Sequence, residues 1–221
     1  MNDRSFAIPV AIVLGGVIVA LAVYLSIAPP LPKSDSGNPE LVRPVSAADH
    51  ILGNPAAPVV IVEYADFDCE YCKGFNDILH QIVANGGGDV AVVFRHFPLS
   101  EIHPNALSHA RAAECAAEAG GNDAFWNFVD ELFASQPIST GSYGERAAKA
   151  GISGDAFASC YANASATFDE HIMADRKNAL LVGALGTPYS LILVSGKTPV
   201  VMSGAYPYDE VKLRVDHALS P

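Results

Sequence analysis

Hydrophobic and polar positions divide the chain into three stretches of different character. From Phe6 to Ala28, FAIPVAIVLGGVIVALAVYLSIA, no residue is charged. At 1.5 Å rise per helical residue, this run is long enough to cross a hydrocarbon core of about 30 Å. A cleavable signal has a shorter apolar region, of about 7–15 residues. Ser26-Ile27-Ala28 mimics a small-x-small cleavage site, but Pro29 and Pro30 follow it directly and hinder a peptidase. Residues 6–28 are therefore expected to form a retained transmembrane anchor, preceded by a short N-terminal tail, 1–5. Arg4 and the free amine, opposed by Asp3 and by Lys33 beyond the span, favour a cytoplasmic N-terminus. Residues 29–47 are rich in Pro and Ser and carry no period, which predicts an extended linker.

The remainder, 48–221, alternates strand and helix signals and predicts an α/β domain. APVVIVEYA, Ala57 to Ala65, is a nearly continuous β-branched run, the pattern of a strand buried on both faces. Asp68 stands at an N-cap position, and CEYCKGFNDILHQIVAN then runs helically to the glycines Gly86 to Gly88. DVAVVFRHFPL is a second strand, so the three elements form a βαβ unit with parallel strands and a right-handed crossover. A helical block fills about 100–185. YSLILV and PVVMSGA, joined by Ser195-Gly196-Lys197, predict a hairpin, and YDEVKLRVDHAL a last amphipathic helix. The order is βαβ, a helical insertion, then ββα. Within the insertion the spacing of Phe125, Trp126, Phe128 and Phe133 predicts core packing.

Composition narrows the functions. Half of the 221 residues are hydrophobic, and 24 acidic against 13 basic residues give a formal charge of −11. No Lys/Arg-rich run exists, which argues against nucleic-acid binding. The chemistry resides in cysteine. With Asp68 as N-cap, Cys69 is the first helical residue and Cys72 lies one turn on, within bridging reach. Unpaired N–H groups and the helix dipole favour a Cys69 thiolate, the species that attacks or leaves in disulfide exchange. A structural zinc site requires four ligands. Cys115 and Cys160 are solitary, His50 and His80 lack ligand spacing, and His96 and His103 show no metal-like clustering. A disulfide between Cys69 and Cys72 closes almost no loop and has little structural value.

VEYADFDCEYCKGF, FRHFPL, FWNFVDELF and GALGTPYSLILVSGK, in this order, resemble the DsbA-like thiol–disulfide oxidoreductases, which have a thioredoxin fold with a helical insertion. The resemblance spans roughly residues 48 to 219. It implies that Cys69 is the nucleophile and Cys72 its buried partner. It also implies that Thr187 and Pro188 form the cis-proline loop, whose backbone binds an extended peptide. Pro188 is the single cis candidate. Glu63, six residues before Cys69, is either an edge-strand carboxylate facing water or, as in the family pattern, a buried proton relay to Cys72. Arg95 is a candidate partner for it, but a solvated or structural arginine is the expected reading. Glu70-Tyr71 replaces the Pro-His of the strongest oxidases, and Asp66, Asp68 and Glu70 place negative charge around Cys69, opposing the dipole. A milder oxidant is expected. Cys115 and Cys160 are either two buried hydrophobes or, in an oxidising compartment and by the family's example, a structural disulfide.

The function expected is a membrane-anchored, extracytoplasmic oxidoreductase that introduces disulfides into exported, unfolded or reduced proteins. The resemblance implies reoxidation by a membrane partner of the DsbB or vitamin-K-epoxide-reductase type, and no metal or organic cofactor. The alternatives are a reductase or isomerase kept reduced by a membrane donor, and a chaperone or metal-binding module without turnover.

Overall fold

The computed structural model describes residues 37–220; the expected tail and anchor, 1–28, lie outside them. Among the described residues, no helix is long and apolar enough to cross a membrane. Five strands form one sheet in the order β1-β3-β2-β4-β5. They are β1 (His50–Gly53), β2 (Val59–Ala65), β3 (Val90–His96), β4 (Tyr189–Val194) and β5 (Val200–Ser203). β2 and β3 are parallel, with Val59 opposite Val90, whereas β1–β3, β2–β4 and β4–β5 are antiparallel. The helices are α1 (Glu70–Asn85), α2 (Ala106–Ala134), α3 (Tyr143–Lys149), α4 (Gly154–Tyr161), α5 (Ala164–Val182) and α6 (Tyr208–Leu219).

The continuous apolar runs of β2 and β3 are explained by their central place, where both faces are covered. Side chains alternate across a strand. Val59, Ile61 and Ala65 therefore join the core under α1, α2 and α6, while Val62 and Tyr64 pack on the other face against Ala179 and Val182 of α5. Phe125, Trp126, Phe128 and Phe133 are all buried in the first core, in keeping with their spacing. α2 bends at Gly121, whose φ of 80° and ψ of −167° lie outside the helical region. That conformation is open to glycine and strained for any residue with a Cβ.

Two features depart from the sequence reading, and a third, Arg95, takes the structural role expected of it. β1, a four-residue strand, was not anticipated; it pairs with the outer side of β3 and ends the sheet. Residues 37–47, expected to be part of a free linker, dock onto the domain. Asn38 N–H donates to the Leu181 carbonyl at 2.9 Å, Arg43 N–H donates to Asn178 Oδ1 at 3.0 Å, and the Arg43 guanidinium contacts Asp175 at 2.6 Å. Arg95 does not meet Glu63. Fully buried, it donates to Asp49 at 2.8 and 3.2 Å and to the Pro44 carbonyl, drawing the same segment onto β3.

Cys115 on α2 and Cys160 on α4 form a disulfide across 45 residues, with Cα atoms 5.6 Å apart. Chain entropy alone assigns such a loop roughly 4 kcal/mol. A Cys115→Ser/Cys160→Ser variant is expected to lose about that much stability in denaturant titration, with the Cys69–Cys72 pair retained. A loss below about 1 kcal/mol would show that the insertion does not depend on the bridge.

Candidate active site

The site lies where α1 begins, above the C-terminal end of β2. The helix starts at Glu70, one residue later than the spacing suggested, so Cys69 itself is the N-cap. Asp68 does not cap the helix. Cys69 exposes 7% of its surface, less than a surface nucleophile would suggest, and Cys72 exposes none. Both are free thiols here, and the Cys69 thiol donates to the Thr187 carbonyl at 3.3 Å. The Thr187–Pro188 bond is cis. This places the predicted loop against the predicted nucleophile. Gln136–Pro137 is cis as well, so Pro188 is not the single cis proline.

The two sulfurs have opposite acidities. The Cys69 pKa falls to about 6, chiefly through its hydrogen bond with Cys72. Burial works against this, while the Thr187 side chain and the N–H groups of Cys72 and Tyr71 support it. As a thiolate, Cys69 occupies the place of a capping oxygen, since the N–H groups at the second and third helical positions are those such a residue satisfies. The Thr187 hydroxyl, buried and otherwise without a partner, is free to donate to it. Cys72 shifts well upward, first because it is buried, then because it gives its hydrogen bond to Cys69 and sits near Glu63.

Glu63 is not an edge residue. β2 is the central strand and Glu63 is wholly buried. Strand alternation puts it on the face of Ile61 and Ala65, under α1. Neither carboxyl oxygen has a hydrogen-bond partner, and burial, then the Cys69 charge, raises its pKa to about 8. At neutral pH it is a protonated acid beneath the cysteines. Ser190 lies directly across from it on β4, its hydroxyl also buried and unpaired.

The expected field of three carboxylates is largely engaged by other groups. Asp66 Oδ1 accepts from Asp68 N–H at 2.8 Å; its Oδ2 accepts from Leu99 N–H at 2.7 Å and lies 3.0 Å from His103 Nδ1. Asp68 Oδ1 faces His109 Nε2 at 3.2 Å. His109 is buried, and burial holds its pKa below the usual histidine range against the pull of Asp68. Its Nδ1 lies 2.5 Å from the Tyr143 hydroxyl. Burial raises the Tyr143 pKa, so the hydroxyl stays protonated and donates to Nδ1; the proton of the neutral ring is then on Nε2, near Asp68 but without a hydrogen bond to it. Glu70 alone stays exposed.

Other groups at the site gave no sequence signal. Gln136, at the end of α2, donates to the carbonyls of Phe67 at 2.6 Å and Cys69 at 3.1 Å, fixing the turn into α1. His80 stands 3.2 Å from Asp130, while His50 and His96 meet at Glu114. The exposed apolar side chains beside the catalytic motifs are Tyr71, between the cysteines, and Leu185, two residues before Thr187, at 71% and 88%.

A family model described as Thioredoxin matches residues 46–197. The fold is shared with DsbA2 of Pseudomonas aeruginosa, which is 27% identical with a TM-score of 0.67 over 80% of this chain and 97% of that one. BdbD of Bacillus subtilis, in its oxidised form, is 25% identical with a TM-score of 0.65, over 77% and 92%. The thiol-disulfide exchange protein alpha-DsbA2 of Wolbachia pipientis is 20% identical with a TM-score of 0.68, over 77% and 87%. The chain belongs to the thioredoxin family, among its DsbA-like thiol–disulfide oxidoreductases. It also resembles part of the Na(+)/H(+) antiporter NhaA 1 of Mycolicibacterium gilvum, 39% identical over 127 residues. That match covers 57% of this chain but only 19% of the antiporter.

Two outcomes follow from these acidities. The Cys69 thiolate, followed by alkylation rate or ultraviolet absorbance, should titrate near pH 6. In Cys72→Ala the midpoint should move upward by at least a unit, because the largest stabilising contact is lost; an unmoved midpoint would assign the shift to the helix terminus alone.

Glu63 has a folded pKa above its unfolded one, so its contribution to stability is complete below about pH 4.5 and is lost as pH rises to about 8. The slope is at most ~1.4 kcal/mol per pH unit. Glu63→Gln should remove that slope, leave the melting temperature at neutral pH equal or higher, and slow turnover there. Normal turnover across the range would exclude Glu63 from proton transfer.

Proposed function

We propose that the protein is a membrane-anchored, extracytoplasmic oxidase that introduces disulfides into exported proteins. The observation that carries this reading is the split between the sulfurs, with Cys69 held near pKa 6 and Cys72 held as a thiol. A low pKa stabilises the reduced form of the pair and so makes its disulfide oxidising. The uncharged stretch 6–28 supports the anchor, and the Cys115–Cys160 bridge supports an oxidising compartment.

The chemistry follows from the geometry. A thiolate of an extended client, held against the Thr187–Pro188 backbone and flanked by Tyr71 and Leu185, attacks Cys69 Sγ. The Cys69–Cys72 bond breaks and a client–Cys69 disulfide forms. Cys72 leaves as a thiolate and takes the proton of Glu63. Either a second client thiolate then attacks the client sulfur and expels Cys69, or Cys72 attacks Cys69 Sγ, re-forms the pair's disulfide and releases the client thiolate, the route that is lost when Cys72 is replaced. By the first route two electrons and, in net, one disulfide are exchanged: the client is oxidised and the pair reduced. Cys69 is a good leaving group because its pKa is low. A membrane partner of the DsbB or vitamin-K-epoxide-reductase type would return the pair to the disulfide. Exposed Glu70, beside Cys69, supports a potential milder than that of Pro-His oxidases and is the feature that favours the reductase or isomerase alternative.

The test is mixed-disulfide trapping in the cell envelope. Cys72→Ser should accumulate reductant-sensitive adducts between Cys69 and client proteins, and Cys69→Ser should form none. The reverse pattern would exchange the roles of the two cysteines, and adducts with neither would leave a binding module without turnover.

A further inference from the structure

Glu114, on α2 beside the bridged Cys115, is buried, and its partners are imidazoles. His50 Nε2 lies 3.0 Å, His96 Nε2 2.8 Å and His171 Nε2 3.5 Å from one and the same oxygen, Oε1. The four residues come from β1, β3, α2 and α5 and are brought together only by the tertiary fold. Neighbouring buried carboxylates are matched differently. Asp49 is held by the Arg95 guanidinium at 2.8 Å, and Asp175 by that of Arg43 at 2.6 Å. Among the described residues, Glu114 has no Lys or Arg within ion-pair distance. A buried carboxylate requires compensation, and the groups that surround this one are three imidazoles, side chains that also serve as metal ligands.

The spacing suits an ion. Atoms arranged tetrahedrally about zinc at about 2.0–2.2 Å are separated by about 3.3–3.6 Å. His50 Nε2, His96 Nε2 and Glu114 Oε1 all lie within 4.8 Å of one another, with the two imidazole–carboxylate separations slightly below the tetrahedral edge. Opening them requires shifts of a few tenths of an ångström. The rings are already oriented by packing. Phe125 stacks on His50 with centroids 3.6 Å apart and planes at 12°, and Phe94 stands edge-on to His96 at 5.3 Å. The His171 side chain is about a third exposed and gives the cluster a side open to solvent.

We propose that His50, His96 and Glu114 bind one divalent transition-metal ion, Zn²⁺ by the nature of the donors, with His171 the residue placed to complete the set. The ion clasps the edge strand β1 and the end of β3 to the insertion helix α2. This site is separate from the cysteine pair and does not rest on the direction of electron flow assigned above.

The test uses the full-length protein, stripped with chelator, with Cys69–Cys72 oxidised so that no thiolate competes. Calorimetric titration with zinc chloride at neutral pH should give one equivalent bound, and zinc should raise the melting temperature, because it binds the native state. Glu114→Gln and His50→Gln should each weaken binding at least tenfold and abolish the zinc-dependent rise, while His171→Ala weakens it less. Zinc-free melts and circular dichroism check folding. If Glu114→Gln is destabilised, His50→Gln, on the edge strand, decides alone. No uptake by the wild type in excess zinc, or uptake unchanged by His50→Gln, would overturn the proposal and leave a hydrogen-bonded cluster whose counter-charge is a proton.

Discussion

One placement organises this molecule's chemistry: Cys69 at the N-cap of α1, with the buried Cys72 one turn on. It makes the sulfurs unequal. The first becomes an anion near neutral pH because Cys72 and the helix terminus favour its charge; the second stays a thiol because burial and the nearness of Cys69 oppose its ionisation. The rest of the fold maintains that inequality. The central place of β2 puts protonated Glu63 beneath the pair, the Thr187–Pro188 loop closes over Cys69, and Gln136 ties down the turn that presents it.

The helical insertion does more than extend the domain. It supplies His109, backed by Tyr143, to face Asp68, and Gln136 to hold the carbonyls of Phe67 and Cys69. Its own geometry is tied by the Cys115–Cys160 bridge. A negative charge next to a thiolate raises its pKa; here Asp66 accepts from two backbone N–H groups and lies 3.0 Å from His103 Nδ1, Asp68 lies 3.2 Å from His109 Nε2, and the Cys69 thiolate remains favoured.

What could be read from the sequence followed from local pattern. β2 and β3 were legible because strands buried on both faces are continuously apolar. The cysteine pair was legible because a C-x-x-C at the start of a helix after a strand is specific; Pro188 was legible only through the resemblance of Gly186-Thr187-Pro188 to the family's cis-proline loop. β1 was not legible: HILG is four residues long, only half buried and without alternation, and it lies next to the loop signal Gly53-Asn54-Pro55. The docking of residues 37–47 rests on contacts of Asn38 and Arg43 with residues more than 130 positions away. Glu63 was ambiguous until the strand order placed β2 at the centre. The partners of Asp66 could not be read from the sequence, because Leu99 and His103 lie 33 and 37 positions downstream. His96 and Glu114 are 18 positions apart and His50 is 64 from Glu114, so no ligand spacing announced their meeting.

The central claim is that the fold stabilises the Cys69 thiolate enough to make the disulfide an oxidant, yet less than in the strongest members of the family. Equilibration of the Cys69–Cys72 pair with glutathione measures this directly. A thiol pKa of about 6 lies between the values near 7 and 3.5 that accompany potentials of about −270 and −120 mV in thioredoxin and DsbA. The account predicts an intermediate potential for this pair. A value at or below about −270 mV would contradict it and make the protein a reductase.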